Sequence, residues 1–234
     1  YWLFEDAIVA DADVGPNSLE LVPTGISLEA TSSTDFPNPV PQTGAANTQT
    51  AVINSSTDRL QTSDNGSVLD VTEFTIEAFV TPGGMTGNSY ITSRWVSSAG
   101  QRSWALGRAG TSSTTGGTPG GLYLLVSPDG SNGSVIGSGL VLAEDKDYYV
   151  GVSRAVNGTG TDDVTFYVQD LTSGGALQVV SGGDSGTTAQ WATASQEIEF
   201  GTYGNGNSLF YGNIDEVRLS DEVLGQSDLL IVPE

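Results

Sequence analysis

The chain has 234 residues, with 28 acidic against 7 basic side chains, a formal charge of −21, and neither cysteine nor histidine. These counts exclude thiol nucleophiles, imidazole general bases, Ser-His-Asp triads and ordinary zinc sites. The negative surface repels phosphate, so neither nucleic acid nor an anionic membrane is an expected partner.

The length suits one all-β domain over 1–234 with a real core. No run of about 18 apolar residues exists to span a membrane. Glycine, at 31 residues, is nearly twice its usual share of about 7%. Beside so much Ser, Thr and Asn it predicts many turns and short strands. Two readings of the acidity stay open: solubility in a salty medium, where screening makes self-repulsion cheap, and calcium, whose ligands are carboxylates and carbonyls.

Helical periodicity is nearly absent, and period-two alternation recurs. Strands are predicted at 1–4, 18–22, 49–54, 74–81, 89–95, 103–108, 122–127, 135–142, 148–154, 164–171, 177–181, 196–201 and 209–219. This spacing predicts an all-β, two-sheet antiparallel β-sandwich. In 74–81, Phe74, Ile76, Ala78 and Val80 share the core face, and Thr75, Glu77, Phe79 and Thr81 the other. The Pro-rich stretch 35–41 cannot join a central strand and is expected to cross the surface. Residues 111–121 (TSSTTGGTPGG) are expected to form a long mobile hairpin loop. A short helix is expected near 226–230, with Ser227 as N-cap.

Several segments, in this order, carry a resemblance. They are Tyr1-Trp2-Leu3-Phe4-Glu5, Asp13-Val14-Gly15-Pro16-Asn17-Ser18-Leu19-Glu20-Leu21, the strand from Phe74 to Pro82, Ile91-Thr92-Ser93-Arg94-Trp95 and Trp104-Ala105-Leu106-Gly107. The pair Tyr148-Tyr149-Val150-Gly151-Val152-Ser153 and Val164-Thr165-Phe166-Tyr167-Val168 follows. The chain closes on Phe200-Gly201 and Tyr211-Gly212-Asn213-Ile214-Asp215-Glu216-Val217-Arg218-Leu219. Together they resemble the laminin G-like members of the concanavalin A-like lectin/glucanase fold, a jelly roll. Phe79 stands where the family more usually has Trp. The final Val232-Pro233-Glu234 resembles the start of a bacterial C-terminal sorting signal. The resemblances imply an exported bacterial protein, secreted or at the cell surface. No signal peptide is visible before the strand-like Tyr1-Trp2-Leu3-Phe4, so a mature or trimmed form is expected.

The resemblance also implies a structural Ca²⁺ tying the N-terminal loop to the last long strand, at Asp13, Asn17 and Asp215, with Glu5 or Asp11 as substitutes for Asp13. The other reading of Asp215 is a carboxylate accepting backbone N–H groups near the chain ends. Asn157, Asp162 and Asp163 form a weaker second candidate, where an Asn-Gly turn with exposed acids is the alternative.

For catalysis, Glu197 and Glu199 share a strand face at ~6.5–7 Å, a spacing open to glycosidase chemistry. The acidic signature of the fold's glucanases is not matched, since Gly201 and Thr202 follow in place of a further acid. No catalytic residue is assigned.

Ligand contact is expected from aromatic faces that stack on sugar C–H groups. Trp95, Trp191 and Tyr203 are the chief candidates, with Trp104, Tyr123 and Tyr211 as further ones. Arg94 and Arg102 are scarce bases able to hold a carboxylate or sulfate, or simply to pair with an acid. The expected function is a secreted, non-catalytic recognition module for carbohydrate or a surface protein. The alternatives are an adhesive matrix protein without a glycan ligand and, last, a glycan-cleaving enzyme.

Overall fold

The computed structural model describes residues 1–2, 4–5, 21–30, 35–62, 71–84, 86–96, 100–156, 162–184, 197–204 and 208–231. In chain order the strands are β1 (Leu21–Thr24), β2 (Ser27–Ala30), β3 (Gln49–Ile53), β4 (Arg59–Thr62), β5 (Phe74–Pro82), β6 (Ser89–Trp95) and β7 (Arg102–Arg108). They continue with β8 (Gly121–Val126), β9 (Ser134–Val141), β10 (Tyr148–Val156), β11 (Asp162–Asp170), β12 (Gln178–Asp184), β13 (Glu199–Phe200) and β14 (Gly212–Ser220). They form two seven-stranded sheets, β1-β4-β13-β6-β7-β8-β9 and β12-β11-β10-β5-β14-β3-β2. Every pairing is antiparallel. Among the described residues no helix is long and apolar enough to cross a membrane.

Alternation builds the core between the sheets. Phe74, Ile76, Ala78 and Val80 of β5 meet Trp104, Leu106, Leu122 and Leu124 of the facing sheet in one buried cluster. Phe74 and Trp104 stack with ring centroids 6.5 Å apart. The short, polar β2 and β4 have no clear alternating apolar run and were not expected. Each takes its place by pairing, β2 on β3 and β4 between β1 and β13. Among the described residues of the aromatic opening, Trp2 bridges to Val217.

The second sheet carries a third layer on its outer face. Phe36, Val40, Leu229, Leu230 and Ile231 pack over Phe79, Tyr149 and Tyr167. The stretch expected to cross the surface therefore buries two of its apolar side chains. The expected terminal helix is only a 3₁₀ turn at Gln226–Asp228 with no side-chain cap, and it hands Leu229 and Leu230 into this layer. Glu77 lies fully buried at the centre. It accepts hydrogen bonds from Tyr149 Oη (2.6 Å), Arg218 Nε (2.7 Å) and Leu230 N (2.7 Å).

The 111–121 loop, expected to be mobile, is folded down on the first sheet. A 3₁₀ turn at Thr115–Gly117 lies against Tyr123, and Asn88 Nδ2 donates to Thr115 Oγ1 at 2.8 Å. Its close approach requires Gly137: a Cβ there would sit 1.8 Å from the Gly116 carbonyl oxygen. Gly137→Ala is expected to lift this turn and cost about 1–3 kcal/mol, read as a lower denaturant midpoint with unchanged slope.

Candidate functional site

Two places bring chemistry-bearing residues together. The first is at the chain ends. Strand β14 slips register against β5 between Asp215 and Arg218, and Glu216 takes a left-handed backbone, φ 51°. Such a bulge turns side chains that simple alternation would place elsewhere. Here Asp215 and Glu216 are both fully buried. Tyr1 Oη donates to Glu216, while Trp2 N donates to the Val217 carbonyl at 2.9 Å.

Asp215 Oδ1 accepts the Glu216 N–H at 3.0 Å, and its Oδ2 is buried with no hydrogen-bond partner. Burial pushes the Asp215 carboxyl well above the usual carboxylate range, and the charges of Glu216 and Glu5 push it the same way. The Glu216 N–H and Asn47 only partly offset this. Glu5 also accepts from Thr48 N at 2.5 Å and Gln49 N at 3.1 Å, so it fastens the first residues to the start of β3.

The two buried acids, Asp215 and Glu216, leave oxygens that a cation or a proton would satisfy. Among the described residues no three acidic side chains form a cation cage by themselves. Asp13 and Asn17, the other two expected ligands, lie outside the described residues, as does Asp11. Sequence reading missed Glu216. The available signal was two adjacent acids in a strand otherwise buried on its inner side, an arrangement that needs a bulge if both are to reach one place.

The second place is the outer face of the first sheet. Tyr90 and Tyr203 lie 4.6 Å apart between ring centroids, and Tyr90 meets Tyr123 edge-on at 6.0 Å. Trp95 joins the same cluster, with the Arg102 guanidinium carbon 5.8 Å from its ring centroid. Tyr90 and Trp95 are each 7% exposed, whereas Tyr203, Leu125 and Arg102 are half-buried. Burial raises the phenol pKa of Tyr90 and Tyr123, so both rings stay neutral hydroxyl carriers. The backbone carbonyls of Ser131 and Gly130 accept from Arg102 Nη1 and N, fixing that side chain's base.

The structure thus joins Trp95 and Tyr203 but not Arg94. Arg94 sits opposite Trp104, on the core-facing side of β6, and is 1% exposed. Its burial beside a core tryptophan keeps the guanidinium from solvent, so of the two expected arginines Arg102 is the one on this face. Trp104 belongs to the core, and Tyr211 packs against it half-buried. Trp191 lies outside the described residues, as do Asn157 and Val232-Pro233-Glu234. Of the expected carboxylate pair, Ile198 and Phe200 turn inward, which sets Glu199 on the outer side opposite Ser93, 7% exposed, with Glu197 half-buried.

No family model matches the chain, and no curated protein matches it in sequence. Solved structures do resemble it. Domain 4 of AbnA, an extracellular arabinanase from Geobacillus stearothermophilus solved with arabinotriose, aligns with a TM-score of 0.58 and 14% identity, over 96% of this chain and 97% of that one. The receptor-binding domain of botulinum neurotoxin mosaic serotype C/D aligns at 0.54 and 10% identity, over 97% of this chain and 48% of that one. The enzymatically active domain of tailspike protein 2 from bacteriophage CBA120 aligns at 0.55 and 14% identity, over 90% of this chain and 30% of that one. At such identities the likeness establishes the fold: an all-β jelly-roll sandwich.

Proposed function

We propose that this chain is an exported, non-catalytic recognition module of the laminin G-like kind, which binds glycan through the outer face of the first sheet. The observation that carries this reading is the asymmetry of the two faces. One is sealed by a third layer around Glu77, and the other presents the half-buried Tyr203 and Leu125, backed by the buried Tyr90 at one end of β6 and by Trp95 with the Arg102 guanidinium at the other. Aromatic rings offer a flat apolar surface to sugar C–H groups, and Arg102 supplies donors to ring hydroxyls or an acidic substituent. The AbnA domain, solved with arabinotriose, has the same fold over nearly its full length and supports carbohydrate as the first ligand class to try.

The acid cluster at the chain ends is proposed to hold a structural calcium. Asp215 Oδ2 and the Glu216 carboxylate are the donors offered among the described residues, and Asp13 and Asn17 are the further ligands that the family resemblance implies. Bound there, the ion supplies positive charge to two buried carboxylates. The chain's own residues do the rest, Tyr1 and Glu5 closing the N-terminus over the bulge.

The test is a glycan array followed by calorimetric titration with arabino-oligosaccharides and with whichever glycans the array selects. Tyr203→Ala and Trp191→Ala are each expected to weaken binding by more than about tenfold while the melting temperature holds. An array without a hit would sink the reading. It would favour the adhesive matrix protein instead, for which the sealed face and tied termini already make a rigid unit.

A further inference from the structure

Arg108 ends β7 on the core-facing side, opposite Leu122, so it lies across the strand from the Tyr90–Tyr203 face. It lines a cleft of about 380 Å³ where β7, β8 and the end of β9 meet. That volume is in the range of small-ligand sites, roughly 300–1,000 Å³. The arginine is 2% exposed. Its Nε donates to the Leu142 carbonyl at 2.9 Å, and its Nη1 is buried without a hydrogen-bond partner. Its Nη2 is ion-paired with Glu144 Oε1 at 3.7 Å, a loose separation for a direct hydrogen bond, and Glu144 is 38% exposed. Pro119, Gly120 and Val141 form the remaining wall, largely apolar.

From this geometry we infer a second site, which takes one neutral sugar residue. A guanidinium has only donors and a carboxylate only acceptors, so a pair held at this loose separation matches a hydroxyl that accepts from one and donates to the other. Adjacent hydroxyls on a sugar ring supply that pattern twice, and the C–H face of the ring rests on Pro119 and Val141. The pair is neutral overall. An anionic ligand would meet Glu144 at the cleft and a chain carrying −21 at a distance, so uronates and sulfated sugars are disfavoured here. The ligand class rests on the glycan reading above, but the site is separate from the aromatic face.

Amide proton–nitrogen NMR of the full chain tests it, with arabinose, galactose and glucose as neutral probes and galacturonate as the acidic one. A neutral sugar is expected to shift the amides of Gly120, Leu142 and Glu144, and galacturonate to do so at least about tenfold more weakly. Val141→Trp, at a position 51% exposed, fills the cleft mouth and is expected to abolish the shifts. Glu144→Gln keeps an acceptor but loses its charge, for about a tenfold weaker response. Tyr203→Ala is expected to leave them unchanged. No shift with any neutral sugar, a stronger response to galacturonate, or shifts that survive Val141→Trp would each overturn the inference. Shifts confined to Tyr203 and Arg102 would overturn it while leaving the aromatic face standing.

Discussion

Calcium is expected to raise the melting temperature of this protein, and Asp215→Asn to abolish that rise. At a free concentration near a hundred times the dissociation constant, a ligand of the folded state stabilises by about 2.7 kcal/mol. For a chain of this size that corresponds to roughly 5–10 °C. In chelator the pH dependence follows from the raised Asp215 carboxyl. Its folded pKa lies above the unfolded value of about 3.9, so the folded state holds that proton more tightly. The associated stability is full below about pH 4 and is lost as pH rises through the folded pKa. The chelated wild type should therefore melt lower as pH climbs towards neutrality, and calcium should restore it.

Asp215→Asn removes the buried charge along with the cation site. Near neutral pH and in chelator, the variant should therefore melt above the wild type. Melting curves collected across pH, with calcium and with chelator, read both effects. A wild type indifferent to calcium, with a flat pH profile in chelator, would falsify the cation site.

Glu77→Ala is expected to be among the most damaging single changes outside the hydrophobic core. It leaves the Arg218 guanidinium, 2.5 Å from Glu77 Oε2, without its anion, and strands the Tyr149 hydroxyl and the Leu230 amide. Removing one partner of a buried pair costs about 3–5 kcal/mol, and for a chain of this size roughly 6–20 °C of melting temperature. The loss has a location. Leu229, Leu230 and Ile231 are held over the sheet partly through this carboxylate, and Thr75 adds bonds to the Glu222 carbonyl and the Leu224 amide. Cleavage by protease should begin in 221–231 in the variant, while glycan binding at the opposite face survives in whatever fraction stays folded. Glu77→Gln keeps an acceptor and should fall between. An Ala variant that melts with the wild type would remove Glu77 from the centre of the third layer.

Most of the sandwich is legible in the sequence because period-two alternation reports directly on which side is buried. It gave β6 its full extent and assigned Phe74, Ile76, Ala78 and Val80 to the core between the sheets. Alternation cannot report a third layer. Glu77 and Phe79 sit on what looks like the solvent side of β5, and both are buried by segments from the two ends of the chain. Nothing local to β5 encodes that cover, apart from an aromatic residue where a polar one would suffice.

The candidate site is legible to a lesser degree, for similar reasons. Aromatic residue type pointed to Trp95 and Tyr203, but their partner Tyr90 emerges only from strand order. Arg94 stands out in the sequence by the scarcity of bases, and its place on the core-facing side follows from the register slips between Tyr90 and Thr92 and between Arg94 and Trp95, which exchange the sides that neighbouring residues face. Asp215 could be named from the sequence, whereas Glu216 required the bulge.

Gly182 of β12 lies against Ile136 of β9, so the last strands of the two sheets meet along one flank. A β-strand left bare there would invite another chain to extend the sheet, the usual route to fibrils. The two edge strands touch through side chains without pairing, and the slip in pairing between β8 and β9 makes the β9 edge an irregular template for a further strand. Val135 and Val141 stand in the open on β9 along that irregular edge, where an incoming flat strand would find no matching register.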